Sequence, residues 1–252
     1  MATKLYFHDI SNALAGTFPS VSQSATSASR VWDTTLRVMD KNTGSLQVGP
    51  TATSLANTTA QHHFIRWFCS PLLSGSNTVG GGTWTFNCAQ QESNTNSNFV
   101  INGVDVYIWR PSTGALVNQV KDWAGASLGG IKPTAANSEQ VNTFNFTTTA
   151  RTALNGDVVI CEVWAAFTQS MGTAYTETFF YDGTTENATQ GTVVTSQASF
   201  LNISENLNFQ TAQAFTYPIA GQIYPRYWDN LDETIQNISG QTYPRGYGYG
   251  PY

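Results

Sequence analysis

The sequence predicts an all-β fold, a β-sandwich of jelly-roll type with an extended N-terminal arm and an extended C-terminal tail. Two observations predict the sandwich. From His62 onward, short runs rich in β-branched and aromatic residues alternate with clusters of Gly, Asn, Pro and Ser, the pattern of strands and turns. Helical periodicity is poor almost throughout. A third observation predicts the extensions: both ends lose the strand texture, and the C-terminal end repeats itself.

The first segment, residues 1–61, reads as an extended arm. Ser11 to Ala60 is dominated by Ser, Thr, Ala, Asn and Gly, with apolar residues too sparse for a period of 2 or 3.6. Within it Leu5-Tyr6-Phe7 can add a short strand. Val31 to Met39 fits a strand or a helical turn, and the residues do not separate the two.

Residues 62–210 read as the sandwich. Its candidate strands are His62 to Phe68, Thr83 to Gln90, Phe99 to Asn102, Val104 to Arg110, Val141 to Thr147, Asp157 to Thr168, Tyr175 to Tyr181 and Val193 to Phe200. Eight strands suit a sandwich or jelly roll. Asn102-Gly103, Asn155-Gly156 and Asp182-Gly183 supply residues that tolerate positive φ at turns, and Pro71 and Pro111 stop strands. In the strand from Asp157, Val159, Cys161, Val163, Ala165 and Phe167 make one uninterrupted apolar face, which must be core. The other face carries Glu162, Trp164 and Thr168, so it is partly wet or covered by another element. A covered Glu162 needs a partner.

Residues 211–252 read as an extended tail. Asn230 with Glu233, followed by Leu231, Ile235 and Ile238 at helical spacing, allows one short helix. Ile219-Ala220-Gly221-Gln222-Ile223-Tyr224-Pro225-Arg226 recurs as Ile238-Ser239-Gly240-Gln241-Thr242-Tyr243-Pro244-Arg245. Pro fixes φ and pushes the preceding Tyr to an extended conformation, so each copy should be a β or polyproline-like segment. Two copies of one aromatic motif fit two equivalent pockets on neighbouring subunits; folding back onto the chain's own sandwich and disorder are the alternatives. Tyr and Arg are common interface anchors. The candidate interface residues are Tyr224, Pro225, Arg226, Tyr227, Trp228, Tyr243, Pro244, Arg245, Tyr247 and Tyr249.

Composition bounds the function. Of 252 residues, 11% are charged, against about 25% in an average chain, and 40% are apolar, so Asn, Gln, Ser, Thr and Gly must cover the surface. Such a surface suits a protein packed against neighbours or exposed outside a cell. A net charge of −5, with Lys and Arg scattered, argues against nucleic-acid binding. The opening lacks the apolar run of a secretory signal, and no stretch is apolar enough for a membrane span. Cys69, Cys88 and Cys161 form neither a disulfide framework nor a metal pair, so buried free thiols are expected, in keeping with assembly in a cytoplasm.

Catalytic signatures are absent: no nucleophile elbow, phosphate-binding loop, dinucleotide fingerprint or zinc-protease motif occurs. Gly80-Gly81-Gly82 reads as a turn, since neither Lys nor a helix follows it. His62 and His63 on one strand face opposite ways and cannot share a zinc ion. Glu92, Asp105, Asp157 and Glu162 are carboxylates from which a glycosidase pair would have to come. Tyr107, Trp109 and Trp164 are candidate glycan-stacking residues, with core packing as the plainer reading. No catalytic residue, cofactor or metal is expected.

The opening M-A-T-K-L-Y-F-H-D resembles the start of a group of tailed-bacteriophage and prophage structural proteins that begin M-A-T-[KR]-L-Y-F. The resemblance continues through Gly82 to Phe86, Ser93-Asn94, Val104 to Gly114 and Gly156 to Trp164, and the tail repeat lies outside it. It implies a virion protein assembled in the host cytoplasm, with no enzymatic activity to carry over. The expected function is a capsid decoration or cement protein, homo-oligomeric, binding copies of itself and the major capsid protein. A tail, neck or fibre component, or a glycan-binding adhesion module, is the alternative.

Overall fold

The structure is a computed structural model, and it describes residues 2–12, 30–44, 46–53, 61–167, 173–210, 215–219 and 222–226. The strands are β1 (Thr3–Ser11), β2 (Arg30–Val31), β3 (Leu36–Asp40), β4 (Thr51–Thr53), β5 (Gln61–Cys69), β6 (Asn77–Val79), β7 (Thr83–Glu92), β8 (Phe99–Arg110), β9 (Ala115–Lys121), β10 (Gln140–Thr147), β11 (Arg151–Ala153), β12 (Val158–Phe167), β13 (Thr176–Phe180), β14 (Phe200–Ile203), β15 (Phe215–Ile219) and β16 (Gln222–Arg226). Among the described residues the one helical element is a 3-10 turn at Thr95–Ser97. The fold is all-β, as the residues predict.

The chain forms two compact units, Met1–Thr211 and Ala212–Tyr252. In the first, one path of hydrogen-bonded strands runs β4-β13-β7-β14-β1-β3-β5-β12-β8-β9, with β10 on the other edge of β7 and β2 beside β5. Pairing is antiparallel except where β2 and β3 meet β5. Four strands separate β13 from β5 on this path, yet Phe68 of β5 packs on Phe179 of β13 with ring centroids 6.1 Å apart. Likewise the Ile101 amide of β8 donates to the Gln90 side chain of β7 at 2.8 Å. The path therefore folds over itself into two facing layers, a β-sandwich.

The core lies between the layers, and Val159, Cys161, Val163, Ala165 and Phe167 contribute to it from β12 as their alternation requires. Phe7, Phe68, Phe86 and Phe179 fill its middle, and each such side chain contributes about 1.5–3 kcal/mol by leaving water. Cys69, Cys88 and Cys161 are free and buried.

The expected N-terminal arm is corrected in part: the strand allowed at Leu5-Tyr6-Phe7 is present, but it belongs to the sandwich. Thr3–Ser11 is an interior strand, paired with β14 on one side and β3 on the other, and Leu5 and Phe7 are fully buried. Leu36–Asp40 is likewise a strand in the same sheet, which settles the choice between strand and helical turn for that part of the segment. Its many Ser and Thr residues lowered the apparent periodicity, while the strands need only Leu5, Phe7, Leu36, Val38 and Met39. Residues 13–29, 45 and 54–60 lie outside the described residues.

Three smaller corrections follow from side-chain patterning. Asn102-Gly103 is a bulge within β8, not a turn: Trp164 faces Gly103 while Ala165 faces Ile101, leaving Asn102 extra. Glycine is needed there because a Cβ would lie 2.3 Å from the Trp123 indole. The last sandwich strand is Phe200–Ile203, not Val193 to Phe200, because 193–199 lacks an apolar parity that Leu201 and Ile203 provide. Strand β9 was not expected; its half-exposed residues follow β8 through a turn at Pro111 to Gly114.

Candidate functional site

The tail offers the first candidate. Tyr217 stands opposite Tyr224 and Phe215 opposite Arg226 in the hairpin of β15 and β16, with two residues between the closing pair Ile219 and Gln222. The first copy of the repeat thus supplies a true strand, extended as its Tyr-Pro step requires. Of the interface candidates, Tyr224, Pro225 and Arg226 fall in β16. Tyr227, Trp228, Tyr243, Pro244, Arg245, Tyr247 and Tyr249, together with the expected helix near Asn230, lie outside the described residues.

The second candidate lies on the face of β3, β5, β12 and β8 turned away from the main core. There the bulged register brings Leu36, Trp67, Glu162 and Asp105 into one row across four strands. Glu162 is fully buried. It accepts from the Trp67 indole at 2.9 Å and the Tyr107 hydroxyl at 3.0 Å through one oxygen, and from the Trp164 indole at 3.2 Å through the other. The partner that a covered Glu162 requires is therefore a set of aromatic donors from three strands. Burial pushes the Tyr107 hydroxyl well above its ordinary pKa, and the Glu162 charge pushes it further.

Opposite Glu162, the Asp105 carboxylate accepts the Trp123 amide at 2.8 Å. Trp123 packs its ring 5.4 Å from that of Trp164 and covers this end of the face. All three glycan-stacking candidates, Tyr107, Trp109 and Trp164, are brought together here, and all are buried. None of the three presents a ring to solvent as a stacking platform would.

The four carboxylates considered for hydrolysis form no pair that faces solvent. Asp105 and Glu162 are cross-strand neighbours, but sunk among aromatic rings. Asp157 is held by a two-pronged contact from Arg110 at 2.7 and 2.9 Å. Glu92 accepts from the Ser97 hydroxyl at 2.8 Å and the Phe99 amide at 3.1 Å, and burial raises its pKa.

A third cluster was missed in the sequence because it draws on the supposed arm. His8 of β1 bridges two acids: Nε2 lies 3.1 Å from Asp40 and Nδ1 3.0 Å from Asp182. Burial opposes the imidazolium, but hydrogen bonds to Asp182 and Asp40 outweigh it and raise the pKa to about 9. Beside it Arg66, nearly buried, contacts Asp33 and Tyr181 and lies 3.2 Å from Asp9, whose carboxylate also accepts the Tyr181 hydroxyl at 2.7 Å. In a chain so poor in charge, this concentration ties β1, β3 and β5 together. The two ring nitrogens of His8 point to different acids, and among the described residues no group of three His, Cys, Asp or Glu side chains could hold a metal ion. His62 meets Trp123 while His63 stacks on Phe167, on opposite faces as expected.

Fold and sites together define a two-layered β-sandwich with a separate C-terminal hairpin unit. No protein-family model matches the chain, and no curated protein does. Among solved structures it is similar to a CocE/NonD family hydrolase from Staphylococcus aureus (7% identity, TM-score 0.41) and to an aminopeptidase from a marine-sediment Thaumarchaeota archaeon (9%, 0.41). It is also similar to an α-amino acid ester hydrolase (10%, 0.39). Each match covers 81% of this chain and 36% of the other, so this chain spans about a third of those proteins. Likeness this slight bears on neither activity nor assembly.

Proposed function

We propose that this chain is a non-enzymatic structural protein of a virus particle, a capsid decoration or cement protein of a tailed phage. Its tail attaches it to copies of itself and to the major capsid protein. The observation that carries the reading is the tail: a repeated motif whose first copy forms a strand in a unit separate from the sandwich. A two-stranded hairpin is marginal by itself in water, and gains stability when it packs against a larger surface. The scarcity of charge over the whole chain fits a surface that is covered on assembly.

The non-enzymatic part of the reading is supported by the fate of the carboxylates. The one cross-strand pair among the four, Asp105 and Glu162, is engaged with indole, phenol and amide donors rather than facing a cleft. The test is binding to purified capsids that lack the protein. The full chain should bind and residues 1–211 should not; equal binding by both would remove the tail from the mechanism.

A further inference from the structure

The tail hairpin carries its prolines at positions that constrain how it can join anything else. Its register closes at Ile219 opposite Gln222, with two residues between. Such a pair must exchange both backbone hydrogen bonds, because the other kind of antiparallel pair would need bonds between residues 220 and 221, which are chain neighbours. The two kinds alternate along a ladder. Tyr217–Tyr224 and Phe215–Arg226 are therefore also exchanging pairs, and Pro218–Ile223 and Thr216–Pro225 are not.

In pairs that do not exchange, the backbone N–H and C=O point away from the partner strand, toward the outer edges of the hairpin. Both prolines occupy these positions, one on each strand. The ladder between β15 and β16 loses nothing by their missing N–H groups. The outer edges lose half their donors: Thr216 is the one left on β15 and Ile223 the one left on β16. An incoming strand needs regularly spaced donors from the edge it joins, and proline is a common device against such addition.

We infer that Pro218 and Pro225 close the tail hairpin to strand addition, so that it attaches to a second copy of this chain without extending its ladder. The inference rests on the reading of the tail as the element that joins subunits. It explains how a hairpin that joins subunits can still stop at an assembly of defined size, since edge-to-edge pairing has no natural end.

Two variants of the full chain test it, each leaving every ladder donor in place. In Pro218→Ala/Pro225→Ala the outward donors return. Its solution mass and its thioflavin T fluorescence should rise severalfold with time, while the wild type holds a constant mass. In Thr216→Pro/Ile223→Pro the last outward donors are removed, and the wild-type mass should persist. Intrinsic tryptophan fluorescence of the sandwich confirms folding in both.

An alanine variant that behaves as the wild type overturns the inference. So does a proline variant that falls to the mass of a single chain, since attachment would then run through the edge. Failure of the functional reading is seen separately: residues 1–211 would keep the full-length mass, and the alanine variant would still report whether the edges are closed.

Discussion

The Trp67 indole donates to the buried Glu162 carboxylate at 2.9 Å from the position directly opposite it on the neighbouring strand. With Tyr107 and Trp164 it surrounds an acid with aromatic donors, so the polar group and the rings around it satisfy one another. Glu162→Gln replaces one accepting oxygen with an NH2 that faces a donor. It should lower stability by about 1–3 kcal/mol, read as a shift in the urea midpoint with unchanged slope. A neutral result would mean that the aromatic donors do not depend on the carboxylate.

The bridge from His8 to Asp40 and Asp182 makes stability depend on pH. Its pKa is raised from 6.5 to about 9 on folding, so the contribution is complete below pH 6.5 and is lost as pH rises through about 9. The size is about 3 kcal/mol. His8→Gln should lose stability at pH 6 and approach the wild type near pH 10. Equal losses at both ends would show that the imidazole acts by packing rather than by charge.

Gly103 lies beneath the Trp123 indole, where a Cβ would have 2.3 Å of room. Gly103→Ala should cost about 1–3 kcal/mol through overpacking and shift the tryptophan emission. Wild-type stability and emission would mean that the loop carrying Trp123 gives way freely.

The first strand belongs to the sandwich, so its removal should be severe. A chain lacking residues 2–11 loses the strand between β14 and β3 together with Leu5 and Phe7 from the core. It should show no cooperative thermal transition and no near-ultraviolet circular dichroism. A well-folded truncated chain would restore the reading of this segment as an arm.

How much the residues revealed depended on local pattern. The core face of β12 was legible because Val159 to Phe167 alternate without interruption, and the free thiols were legible from cysteine spacing. Glu162 was legible as a problem, but its partners were not, since Trp67 and Tyr107 reach it through a register that only the folded sheet defines. Leu5-Tyr6-Phe7 was legible as a short strand and Val31 to Met39 as a strand or a turn, but the place of β1 and β3 inside the sheet was hidden, because a central strand needs few apolar residues when its neighbours supply the rest. The ionic cluster of His8, Asp9, Asp33, Asp40, Arg66 and Asp182 stayed hidden with them. The Tyr-Pro-Arg repeat pointed to an extended segment, yet its strand partner Phe215–Ile219 carries a Tyr-Pro step of its own that the repeat did not include.

Solution mass by light scattering, for the full chain and for residues 1–211, decides whether the tail joins subunits. The full-length mass should be a multiple of the 27.4 kDa chain, and the truncated form should have the mass of one folded sandwich. Equal subunit numbers in the two forms would contradict the claim that the tail joins subunits.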